Sequence, residues 1–113
     1  MIDIIPELRP IFLENGINLI PSDEADSNTK FPCVTYREQS NIDERVGDNV
    51  GYSNVSYIIE VWDYDFEAMT ETCNKVDKVM KQYKFTRYMS EKQAIDSLHR
   101  KILGYRRLIK ENY

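Results

Sequence analysis

Four carboxylates crowd one short stretch of this chain: Glu60, Asp63, Asp65 and Glu67. Two or three of them converging on one divalent ion, with a basic residue nearby, would suit a metal-dependent hydrolase. The same residues also stand where a helix is expected to begin. There, carboxylates accept bonds from unpaired amide groups and complement the positive end of the helix dipole. The adopted reading is structural, with a small metal-dependent hydrolase kept as the alternative of another class. The single histidine, His99, lies beside Arg100 and Lys101 with no Ser or Cys motif around it, and reads as a surface residue. Cys33 and Cys73 stand forty residues apart with no CxxC, so a four-ligand zinc site is not expected. Both look like small core residues of a protein kept in a reducing compartment. The chain has no GxGxxG, Walker-type loop, nucleophile elbow or HExxH. It is read as having no catalytic residue, no metal and no cofactor.

A second set of residues could bind rather than react. Arg100, Lys101, Arg106 and Arg107, with Tyr105 between them, could touch phosphate backbones. A formal net charge of −4 and a pI near 5.0 would make such binding weak and salt-sensitive. An acidic protein surface is the preferred partner for them. The charge is also unevenly distributed. Residues 1–74 carry four basic and fifteen acidic side chains, net −11, whereas residues 75–113 carry eleven basic and four acidic, net +7. The halves can face each other within the fold, or they can form unlike outer surfaces suited to head-to-tail self-association or an unlike partner.

These residues must be positioned by a single domain. At 113 residues with 42% apolar and 30% charged side chains, one core without staples is expected, and wholesale disorder is not. The opening Met1-Ile2-Asp3-Ile4-Ile5-Pro6 has no basic leader and no long apolar run, so no signal peptide or membrane span is expected, and folding is placed in the cytoplasm. The organising stretch is Val55–Asp63. Val55, Tyr57, Ile59 and Val61 alternate with Ser56, Ile58, Glu60 and Trp62, and both sets contain strand-forming residues. This predicts a central strand, buried on one face and at least partly covered on the other.

Around that strand, Ile4, Ile5, Leu8, Ile11 and Phe12 predict a short first helix ending before Asn15-Gly16, with Pro10 as a possible kink. Ile17–Ile20 and Phe31–Glu38 read as strands, separated by the polar loop 22–30. Gln39–Asn54 is long, polar and punctuated by Gly47 and Gly51, and reads either as a protruding hairpin arm that orders poorly in the monomer or as an exposed loop. Met69, Cys73, Val76, Met80 and Tyr83 predict an amphipathic second helix over 66–83. Residues 85–89 read as a short extended piece, and 90–98 as a polar loop or a single helical turn. For 99–109, a last strand beside the central one is favoured over a helix, because Gly104 disfavours a helix interior. The expected fold is α+β: an antiparallel or mixed sheet of about four strands packed on two helices, with a long polar arm.

The order of these parts resembles the small tail-completion, or tail terminator, proteins that join tail to head in long-tailed bacteriophages. The resemblance rests on the Phe-Pro-Cys-Val-Thr-Tyr strand, the polar arm, the Tyr-Ile-Ile-Glu-Val-Trp-Asp strand, the Lys-rich helix and the final His-Arg-Lys-Ile-Leu-Gly-Tyr-Arg-Arg strand. It covers nearly the whole chain with loose motifs. It implies a structural virion protein with no catalytic residue. Such a protein assembles as a ring, usually a hexamer, on the tail tube, ends its polymerisation and presents a surface to the head connector. The implied partners are further copies of the chain, the tail-tube protein and a head connector. No membrane is involved, and nucleic acid enters only as DNA passing through the ring. The candidate interface residues are Arg45, Asp48, Asn49, Tyr52, Arg100, Lys101, Arg106 and Arg107. A head-side neck adaptor is the nearest alternative.

Overall fold

Residues 3–24, 30–45 and 51–111 are described by the structure, a computed structural model. Helix α1 (Ile5–Glu14) leads to β1 (Leu19–Pro21) and a 3-10 turn (Ser22–Glu24). Then come β2 (Cys33–Arg45), β3 (Gly51–Asp63), α2 (Phe66–Gln82), β4 (Thr86–Ile95) and β5 (Leu98–Glu111). The five strands form one sheet in the order β1-β2-β3-β5-β4. Only the β1–β2 pair is parallel, so the sheet is mixed and the fold is α+β. The expected four strands become five.

Both helices lie on one face of the sheet. Val55, Tyr57, Ile59 and Val61 of β3, with Leu103 and Tyr105 of β5 and Val34 of β2, meet Leu8 and Phe12 of α1 and Met69, Val76 and Met80 of α2 in one buried cluster. This is the alternate-residue face expected of the central strand. Burial at about 25 cal/mol per Å² of apolar surface is what holds the helices there. Pro10 sits inside α1 but is exposed, so it lies away from the core contact made by Leu8 and Phe12. Asp65 caps α2, its carboxylate accepting the Glu67 and Ala68 amides at 3.0 and 3.5 Å. At the far end Lys84 adopts φ 65°, reversing the chain so that the Phe85 amide can donate to the Met80 carbonyl at 3.0 Å.

Among the described residues the other face of β3 carries no helix, yet Ile58, Glu60 and Ser56 are buried. Two β-bulges account for part of this. Gln39 is the extra residue of β2, between the pairs Glu38↔Tyr57 and Ser40↔Ser56. Tyr88 is the extra residue of β4, between Arg87↔Tyr105 and Met89↔Gly104. Bulges bend a strand and re-aim its side chains. Here the two bulged residues meet: Tyr88 of β4 reaches across two strands and donates a hydrogen bond to Gln39 Oε1 of β2. Ser56 Oγ donates to the same oxygen at 3.0 Å. The Tyr88 ring lies directly over Gly104, where a Cβ would stand 2.7 Å from the ring's Cζ. Glycine at 104 is therefore the seat of this bridge.

One expectation is corrected and one choice between alternatives is decided. Residues 90–95 are not a loop or helical turn but most of β4, paired with β5 from Thr86↔Arg106 to Ile95↔Leu98. Apart from half-buried Met89 and Gln93 its side chains are exposed on both faces, so it carries no apolar alternation. The two-residue reversal at Asp96-Ser97 uses φ 55° at Asp96, which a short polar residue tolerates. For the polar segment 39–54 the described parts agree with the arm and not with the plain loop. Its described parts continue β2 and β3, and β3 pairs with β5 as far as Gly51↔Glu111. Beyond Thr86, where β4 ends, β2, β3 and β5 run on as a three-stranded arm, and the molecule measures 53 × 25 × 24 Å.

Candidate functional site

The carboxylates expected to mark either a metal site or a helix start do not converge. Glu60 and Asp63 are three residues apart on a strand, so they project from opposite faces of the sheet. Glu60 binds Arg100, Oε1 to Nη2 at 2.7 Å, both side chains largely buried. Asp63 accepts the Asp65 amide at 3.1 Å, and Asp65 caps α2. Each is thus committed to a cation or to backbone N–H groups. Among the described residues, no three His, Cys, Asp or Glu side chains are placed to hold a metal ion. His99 is not a plain surface residue. It is half-buried against the edge of Phe66, at 5.6 Å between ring centroids, with Nδ1 buried and without a hydrogen-bond partner among the described residues. The thiols of Cys33 and Cys73 are free and buried. Burial pushes both upward in pKa, Cys73 to about 11, which favours the protonated thiol over the thiolate.

The candidate interface residues divide into separate places. Arg100 is tied into the sheet's outer face: besides Glu60 it donates to Gln93 Oε1 at 3.1 Å and lies 4.7 Å from the Trp62 ring centre. It is a structural cation that covers the tryptophan. Lys101 is on the opposite face, next to Lys92 of β4, and lines a groove of about 230 Å³ with Phe66, Met69, Cys73 and Leu103. Arg106 and Arg107 lie six residues further along β5, roughly 20 Å away at about 3.3 Å per residue. Arg106 sits over Tyr88, and Arg107 over Phe85, at 5.8 and 5.9 Å. Tyr52 is on the arm, opposite Glu44 and Lys110, and half-buried. Arg45 ends β2 opposite Gly51. Asp48 and Asn49 lie outside the described residues.

The structure therefore brings together only Arg106 and Arg107 from the expected set. It adds Lys84, Thr86, Asn54 and Glu44 around a recess of about 410 Å³, formed where pairing with β4 stops at Thr86 and β5 continues into the arm with its outer edge uncovered. Lys84 was not legible as part of this site. It follows the α2 stripe in sequence, and only the reversal at its positive φ carries it to the β5 edge.

A polar network anchors this region from below. Asp77 of α2 accepts from Tyr105 Oη at 3.0 Å and pairs with Lys81 at 2.7 Å and Arg87 at 3.3 Å. Burial alone would raise its carboxyl. The hydrogen bonds from Lys81 and Tyr105 and the charge of Arg87 outweigh that and hold it below its usual 3.8. Tyr105 is driven strongly upward by burial and by the Asp77 charge. No described helix is long and apolar enough to cross a membrane. The chain matches no protein-family model, and no curated protein matches it significantly.

Proposed function

We propose that this chain is a structural subunit of the bacteriophage tail or neck, forming a ring that caps the tail tube, ends its growth and joins tail to head. The observation that carries the reading is the shape of the sheet. A three-stranded arm runs past the helices, and its outer strands are paired on one side only over much of their length. Exposed Ile42 and Leu108 flank Asn54 on one face of that arm. A subunit of this form offers unlike edges to two neighbours and a projecting element to a third partner, as ring assembly on a tube requires. The uneven charge of the two sequence halves fits contacts between unlike surfaces. The host cytoplasm is then the place of assembly, and the virion the final location.

The test is tube growth in vitro. Tail-tube subunits of the same phage are polymerised with increasing amounts of this protein, and tube lengths are measured by electron microscopy. Shorter tubes with the protein at one end are expected. Unchanged lengths with no end-bound protein would defeat the proposal.

A further inference from the structure

Two patches of opposite charge occupy opposite edges of the sheet at nearly the same level. On the β2 side, the 3-10 turn presents exposed Asp23 and Glu24. It packs against β2 just past Tyr36, the last β2 residue paired with β1. On the β4–β5 side, Lys84, Arg106 and Arg107 surround the recess at the end of β4. Arg106 is opposite Ser56, which is opposite Ser40. The four residues from Tyr36 to Ser40 amount to roughly 13 Å of strand, a span that the turn and two long side chains can cover. Among the described residues no ion pair engages Lys84, Arg106 or Arg107. Glu44 on the recess wall offsets one of the three charges and leaves a net positive corner.

Strand directions point the same way. β1, β2 and β5 run one way, and β3 and β4 the other. A copy rotated about an axis along the strands brings its β1–β2 edge beside β4 with the directions still alternating. No copy has to be inverted, which is the condition for a head-to-tail contact that closes into a ring.

We infer that Asp23 and Glu24 of one copy dock against Lys84 and Arg106 of the next. This rests on the proposed ring and specifies which edges meet. The positive corner is partly pre-formed, since Arg106 is held over Tyr88 and Tyr88 is held by Gln39.

The experiment uses three full-length proteins: the wild type, D23K/E24K and K84E/R106E. All four substituted side chains are exposed, and circular dichroism checks each fold. Solution mass is measured for each alone and for an equimolar mixture of the two variants. The wild type is expected to associate, each variant alone to stay monomeric because a reversed patch meets an unreversed one of like charge, and the mixture to regain assembly because the two reversed patches meet each other and the two native patches meet each other. A milder variant, D23N/E24Q, should weaken association about tenfold and serves if a reversal disturbs folding. If the wild type associates while either variant associates equally well, or the mixture stays monomeric, this pairing is wrong and the ring stands. If the wild type is monomeric throughout, the ring reading falls and the pairing with it.

Discussion

Replacing Gly104 by alanine tests whether the bulge-to-bulge bridge stabilises the uncovered face of the sheet. The new Cβ would stand 2.7 Å from Cζ of Tyr88 and 3.0 Å from its Cε1 and Oη. Backbone on both sides of β5 is fixed by pairing, so the tyrosine has to move. Its displacement removes the hydrogen bond to Gln39, about 1 kcal/mol, and the packing of a ring that is 37% exposed, about another 1 kcal/mol. Against this, alanine is better than glycine in a strand by about 0.5–1 kcal/mol. The net cost should be about 1 kcal/mol, a fall in Tm of roughly 5 °C. The assay is urea unfolding followed by fluorescence of Trp62, the chain's single tryptophan, in a double-mutant cycle with Tyr88→Ala. In the Tyr88→Ala background, Gly104→Ala should be neutral or stabilising, giving a coupling of about 2 kcal/mol. An equal cost in both backgrounds would refute the bridge.

Three further outcomes follow from the same structure. Asp65→Ala removes the α2 cap and should cost about 1 kcal/mol, measured by thermal melting of the helical signal. Glu60→Gln leaves the largely buried Arg100 guanidinium without its ion pair and should cost about 2–3 kcal/mol in urea, whereas Glu67→Gln, on the exposed first turn of α2, should cost about 0.5 kcal/mol or less. The Asp77 carboxyl is depressed below 3.8 in the fold, so its stabilising contribution is fully present above that value and is lost as pH falls through the lower folded value. Asp77→Asn should therefore flatten the acid limb of stability against pH, followed by urea midpoints between about pH 2 and 5.

The sequence was legible where burial imposed a period. Val55 to Val61 showed both faces of β3, Met69 to Met80 showed the buried stripe of α2, and Gly104 argued against a helix at the C-terminus. Ser90 to Ile95 was not legible, because β4 is an edge strand exposed on both faces and has no apolar alternation. The bulges at Gln39 and Tyr88 added a second obstacle, since each shifts the in-out parity midway along a strand. The arm was half visible. Polar Ser40 to Glu44 suit a strand whose faces are both wet, and that composition equally suits a loop. Among the basic residues, sequence adjacency misled. Arg100 is engaged with Glu60 and Trp62, whereas Arg106 joins Lys84, twenty-two positions away, through the reversal after α2.

The proposal that this chain is a ring subunit is tested most directly by its mass in solution. Light scattering after gel filtration would be run over a wide range of protein concentration and at low and high salt. The expected result is a ring-sized oligomer that grows in with concentration and dissociates as salt screens the charged edges, over a Debye length of about 8 Å near physiological ionic strength. A strict monomer at every concentration and salt level would contradict it.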